Sequence, residues 1–250
     1  TTGNRKRRTK NFDRKKDAEN WMASMINDQV EGTYIEPKKI TIAQMFDRWL
    51  EYHKKPKISA TTYDRYKNKI EAHLKPNLGD IQLQNLEPYH IEKYFAKKRE
   101  SGRMDGKDGG LSENTLKKHY VILNCMLKRA IKLKLIKYNP AQAIDPPEQT
   151  KNEAEVMNKK EYQKLLNILK DDLLMFAFVF TDIMTGMRRS EVLGLEWEDI
   201  NFNNREIFVR KRYVTVTGGC LHEEKTKTDS SRRKIKISET LVDILKKYKS

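Results

Sequence analysis

Between Thr41 and Ile136 the helix-like stretches repeat their apolar residues every three to four positions, whereas after Arg205 stretches such as "RYVTV" and "RKIKI" alternate them with polar ones. A period near 3.6 buries one stripe of a helix; a period of two buries one face of a strand. The chain is therefore helical first and gains its sheet late. "TIAQMFDRWLEYHKK" puts Ile42, Met45, Phe46, Trp49 and Leu50 on one stripe. "SATTYDRYKNKIEAHLKPNLG" opens on Ser and Thr cap candidates and is expected to end before Pro76. "EPYHIEKYFAKKRE" is a third helix. After the Gly-rich loop "SGRMDGKDGG", "LSENTLKKHYVILNCMLKRAIKLKLI" is a long fourth, with Ser112 as its cap candidate. Four helices in about 100 residues make a compact all-α domain.

The flanks read differently. Residues 1–16 are charged, and "DRKKDAENWMASMINDQVEG" then gives a short amphipathic helix carrying Trp21, Met22, Met25 and Ile26, stopped at Gly32. It reads as the tail of a small domain, with "YIEPKK" as linker. "YNPAQAIDPPEQTKNEAEVM" marks a boundary near Pro146 and Pro147. Beyond it "NKKEYQKLLNILK" is a helix, and "DDLLMFAFVFTDIMT", apolar nearly all round, is expected as a buried central helix ended by Gly186. A helical pattern resumes in "RSEVLGLEW". "REIFVRKRYVTV", "LHEEKTKT" and "RRKIKIS" read as three strands with turns at "TGG" and "DSS", and "ETLVDILKKYKS" starts another helix. The expected fold is multidomain, α and α+β. Its parts are residues 1–38, an all-α four-helix domain over 39–147, and a mainly helical domain over 148–250 with a small three-stranded antiparallel sheet.

Charge narrows the partners. The sequence holds 51 Lys and Arg against 35 Asp and Glu, a formal net charge of +16. That balance speaks to partners and not to fold, with nucleic acid first and an anionic membrane surface second. The longest apolar run, residues 173–180, is far short of the ~20 residues that cross a bilayer. Cys125 and Cys220 form neither a disulfide framework nor a CxxC pair, which fits a reducing cytoplasm. His53, His73, His90, His119 and His222 lack metal-like spacing and read as ordinary helix or loop residues. The fourth helix carries Lys117, Lys118, Lys128, Arg129, Lys132 and Lys134 with almost no acid after Glu113; the second carries Lys67 and Lys69. Most charge runs are solvated faces. One-signed faces repel themselves at i,i+4 spacing, which argues for an anionic partner such as a phosphate backbone.

"TGMRRSEVLGLEWEDI" (185–200) places Arg188 and Arg189 where a helix begins. A guanidinium donates two parallel hydrogen bonds to a phosphate and stays charged at any working pH. Glu191, three residues on, shares a helix face with Arg188 and can orient it. The same spacing fits a surface ion pair contributing under ~1 kcal/mol. Arg189 points elsewhere. In "EEKTKTDSSRRKIKI", Lys225 and Lys227 share a strand face. A lysine there suits protonation of a leaving oxygen; lysines also protect edge strands.

These residues resemble a known family. Thr185, Gly186, Arg188, Ser190, Glu191, Leu193, Leu195, Trp197 and Ile200 match the first arginine motif of the tyrosine recombinases, the lambda or phage integrase family. The strands carrying "KTKTDSSRRKIKI" resemble its lysine hairpin, and the four-helix segment its core-binding domain. "ENWMASMINDQVEGTY" is similar to the end of an arm-binding domain in conjugative-transposon integrases. The resemblance implies a site-specific recombinase of an integrative mobile element, of bacterial or phage origin and cytoplasmic. It would cleave and rejoin DNA through a 3′-phosphotyrosyl link without metal or nucleotide cofactor. Arg188 matches the catalytic arginine, Lys227 the general acid and Glu191 the orienting acid; Lys67, Lys117, Lys118, Lys128, Arg129 and Lys225 are the expected DNA contacts. The implied partners are double-stranded DNA, a homotetramer on paired sites, and accessory DNA-bending or excision factors, with no membrane. The family's second arginine motif and tyrosine nucleophile are not found after Ser238, and Tyr248 comes too early to serve, so the sequence is expected to be a cut protein or the first part of a longer one. The rivals are a non-catalytic DNA-binding protein of the same fold and a type IB topoisomerase.

Overall fold

The computed structural model describes residues 11–31, 34–36, 38–104, 106–150, 155–216, 219–223 and 232–250. The chain forms two compact units, residues 1–58 with 65–150, and residues 59–64 with 151–250.

In the first unit, helix α1 (Lys15–Val30) leaves Met22 and Ile26 exposed. The four expected helices follow. Thr41 caps α2 (Ile42–Arg48) in a reciprocal box with Gln44, and the helix runs on through a wider π turn, Trp49–Lys54. Helix α3 (Ala60–Lys69), which belongs to this unit from Arg65 on, continues through a second π turn, Ile70–Leu74, into α4 (Lys75–Leu78). The expected stop before Pro76 does not occur. The wide turn restarts the helix at Lys75, so proline falls in the first turn of α4, where its missing N–H costs nothing. Pro88 opens α5 (Pro88–Glu100), and Ser112 caps α6 (Glu113–Lys132) by accepting from the Thr115 N–H. Ile42, Phe46, Leu74, Ile91, Leu116, Leu123, Met126 and Leu127 are wholly inaccessible to solvent. Each such side chain contributes about 1.5–3 kcal/mol of transfer free energy. His119 joins them at 0% exposure and is no ordinary surface histidine. Its Nδ1 meets the Tyr94 hydroxyl at 2.8 Å and its ring lies 4.9 Å from that of His73.

In the second unit, Asn158 caps α7 (Lys159–Leu169), Asp172 caps α8 (Leu173–Thr185), α9 is a single turn (Arg189–Val192), and Ser238 caps α10 (Glu239–Lys249). Strands β1 (Ile200–Asn201), β2 (Glu206–Val209) and β5 (Arg233–Lys236) form an antiparallel sheet of order β1-β2-β5, with Ile207 opposite Ile235 and Val209 opposite Arg233. Phe180, Met187, Val192, Ile200, Ile207, Val209, Ile237, Leu241, Val242 and Leu245 make one core between sheet and helices.

Two expectations change here. Helix α8 is not a buried central helix. Ala177, Phe180 and Thr181 are buried, while Leu174, Met175, Ile183 and Met184 are exposed, because α7, α10 and the core cover one face only. The strand expected over "REIFVRKRYVTV" also breaks at Arg210–Lys211. Asp199 takes the Arg210 Nε, and Glu196 takes the Lys211 Nζ at 2.7 Å. The chain then leaves the sheet, and β3 (Arg212–Val216) pairs instead with β4 (Gly219–Glu223) as a separate hairpin. A three-stranded antiparallel sheet is present, but β1 stands in the place expected for the strand over "LHEEKTKT". Among the described residues no helix is long and apolar enough to cross a membrane.

Candidate functional site

The arginine turn is fixed on both sides before Arg188 is reached. Thr185 donates its hydroxyl to the Thr181 carbonyl at 2.6 Å and accepts the Met187 N–H at 3.3 Å. Gly186 closes α8 at φ +61°, a left-handed conformation that suits glycine. Met187 is buried in the core. These contacts leave Arg188 as the residue that caps α9, with 70% of its side chain exposed. The helix it caps is one turn long, so the anchoring comes from the turn and the core, not from a long helix behind it.

Glu191 is the fixed point of the site. Its side chain is 3% exposed, and four donors converge on its two oxygens. Oε2 accepts the Arg188 N–H at 2.9 Å and the Arg233 Nη2 at 2.9 Å; Oε1 accepts the Arg188 Nη1 at 2.8 Å and the Arg233 Nη1 at 3.4 Å. Burial pushes the carboxyl upward, and the hydrogen bonds from Arg233 and Arg188 more than offset this, leaving it below the ordinary carboxylate range. The residue is ionised in a place water does not reach. A guanidinium has five N–H donors. Those of Arg188 not turned to Glu191 suit an anion in front of the turn.

Two groups of basic residues in the first unit involve α6. Lys118 faces Lys69 and Arg65: burial first, then these like charges, hold the Lys69 amine below its ordinary range. Arg129 and Lys132 face His53, whose proton affinity is lowered first by burial and then by Lys57, Arg129, Lys54 and Lys132. Residues 118 and 129 are three helical turns apart and on nearly the same side, about 16 Å along the axis. Lys128 and Lys67 are exposed, and Lys117 reaches over the Tyr120 ring at 5.8 Å. Lys225 and Lys227 lie outside the described residues.

Two family models match this chain. The phage integrase N-terminal SAM-like domain matches residues 41–98, and the phage integrase family model matches residues 155–250. The chain belongs to the phage integrase family. It is 24% identical to a tyrosine recombinase XerC-like protein of Caldanaerobacter subterraneus, over 94% of this chain and 62% of the relative. It is 26% identical to the ICEBs1 integrase of Bacillus subtilis, over 74% of this chain and 52% of the relative. It shares a fold with the Tn1549 transposon integrase solved with circular intermediate DNA, at TM-score 0.67 and 20% identity, over 83% of this chain and 64% of that one. The chain thus spans less than two thirds of these integrases' own length.

Within this integrase fold Arg188 and Glu191 are brought together as their spacing suggests, and Arg233 completes the group without a counterpart in the sequence reading. The signal for it is present. In "RRKIKI" positions 233, 235 and 237 share one strand face, and Ile237 is buried while Lys234 and Lys236 are exposed. An arginine on the core-facing parity needs a buried carboxylate, and Glu191 is that partner. Arg65 and Lys57 also go unmarked by the sequence pattern, because they enter the basic clusters from other helices.

Proposed function

We propose that this chain is the DNA-gripping part of a site-specific recombinase of an integrative mobile element. In this reading residues 39–147 are the core-binding domain, residues 148–250 begin the catalytic domain, and residues 1–38 end an arm-binding domain. A tyrosine attacks a DNA phosphodiester, leaving a 3′-phosphotyrosyl bond while the 5′-oxygen departs as a hydroxyl. Arg188 neutralises the non-bridging oxygens as charge builds on them, and Lys227 gives its proton to the leaving 5′-oxygen. Glu191 orients Arg188. Lys67, Lys117, Lys118, Lys128, Arg129 and Lys225 contact the DNA backbone. Homotetramer assembly on paired sites and accessory DNA-bending factors belong to the same reading.

The observation that carries it is Arg188: a guanidinium fixed through its backbone and its Nη1, yet 70% exposed. Electrostatic groups positioned before reaction account for much of such catalysis, and removing one lowers the rate by about 10²–10³-fold. The test is a nicked suicide duplex given to the natural protein that carries these residues. A covalent protein–DNA adduct that forms with the wild type and is lost in R188A supports the reading. DNA binding without any adduct points to a non-catalytic binding protein, and adducts without paired-site recombination point to a topoisomerase.

A further inference from the structure

We propose that Arg233 is a positioning residue: it neutralises Glu191 so that the charge of Arg188 remains available for a phosphate. The inference rests on the reading of Arg188 as the phosphate-holding group. One carboxylate lies between two guanidiniums, and the three groups together carry one positive charge. Without Arg233 the pair of Glu191 and Arg188 would carry none. Because Glu191 is 3% exposed, water screens that cancellation weakly. An isolated Glu191 would draw Arg188 inward as its only counter-ion, and the guanidinium would turn from the anion toward the carboxylate.

The geometry suits this division of work. Arg233 spans both oxygens of Glu191, at 2.9 and 3.4 Å, whereas Arg188 offers Nη1 alone among its side-chain donors. Arg233 is two-thirds buried and stands on β5 opposite Val209, which is 1% exposed, so a paired strand holds it. Arg188 projects from a turn into solvent. The strand-borne arginine therefore serves as the internal counter-ion and the turn-borne one as the ligand. Arg233 also follows Lys227 by six residues in the chain, which ties the strand after the expected general acid to the carboxylate that orients the arginine.

The test uses this chain, inorganic phosphate as the probe, and two readouts: the heat of phosphate binding, which every variant reports, and the ¹H–¹⁵N signal of the Arg188 Nε, which locates the phosphate in every variant that keeps Arg188. R233M keeps the bulk of the stem and removes the charge; it is expected to weaken phosphate binding at Arg188 by about tenfold, the size of a lost charged contact. The double variant E191Q/R233M removes the carboxylate as well and is expected to recover most of the affinity. A residue that only packs the fold gives no such rescue. R233M binding as the wild type does, or a double variant no tighter than R233M, overturns the proposal. Should R233M not fold, the double variant, which leaves no lone buried carboxylate, and R233K carry the comparison. Both are expected to bind nearly as the wild type does, and binding tenfold weaker by either overturns the proposal. If R188A binds phosphate as tightly as the wild type, the reading of Arg188 itself falls, and this inference with it. A wild-type response that R188A abolishes, together with an unweakened R233M, overturns the inference alone.

Discussion

Glu191 and His119 are both shut away from water, and they meet that cost in opposite ways. Glu191 keeps its charge because four donors surround it. His119 gives its charge up: burial first, then His73, Lys69 and Lys98, hold its pKa at about 3. In the unfolded chain a histidine titrates near 6.5, so between these values the unfolded state binds the extra proton. The folded pKa is depressed, so this contribution to stability is complete above about pH 6.5 and is lost as pH falls toward 3. The loss runs at up to about 1.4 kcal/mol per pH unit for each such group. Carboxylates are mostly ionised at pH 5, so the histidines dominate the window from 7 to 5, and comparison with the variant singles out His119. Urea midpoints at those two pH values are expected to fall less for H119Q than for the wild type. Equal falls would show that His119 does not titrate as a buried neutral ring.

At the level of elements, two glycines bracket the arginine turn and do different work. A side chain at Gly186 would meet nothing within 4 Å, so G186A costs only the left-handed backbone, about 1–2 kcal/mol. A Cβ at Gly194 would stand 2.9 Å from the Arg212 Cα, where β3 crosses the end of α9. G194A must push strand and turn apart, and overpacking of this kind costs typically 1–3 kcal/mol with a shifted backbone. Chemical denaturation ranks the two losses. The sharper expectation is spatial: amide shifts are expected to spread into 209–213 for G194A and to stay local for G186A. The same elements show what the sequence makes legible. The helices of the first unit are long, periodic and locally capped, so Thr41 and Ser112 are readable as starts. The break at Arg210 is not readable, because the carboxylates that take Arg210 and Lys211 sit 11 and 15 residues earlier. Nor is the half-exposure of α8, since an all-apolar run says that burial is favourable and not which partner supplies it.

For the whole molecule, the excess of 51 basic over 35 acidic residues makes an anionic partner the first expectation from composition alone. What charge counting misses is where opposite and like charges meet. The Arg188–Glu191 pair is three residues apart and can be read locally, whereas Arg233 reaches Glu191 from 42 residues away. The basic clusters are assembled the same way: Lys118 sits with Lys69 and Arg65 from α3, and Arg129 sits near His53 and Lys57. These like charges repel one another in the free protein, and an incoming polyanion replaces that repulsion with attraction. A solvated charged face that meets no phosphate takes no part in that exchange, so the two readings differ in a measurable slope. Binding that neutralises phosphates releases counter-ions, and log K falls against log salt by about 0.9 for each phosphate engaged. Phosphate contact is independent of sequence, so an arbitrary duplex serves as the probe. Fluorescence anisotropy across a salt series is expected to give a steep slope for the wild type, and K118A and R129A are each expected to lower it by about 0.9. A slope unchanged by either substitution would return these residues to the role of a wetted helix surface, because a charge that touches no phosphate releases no counter-ion when it is removed.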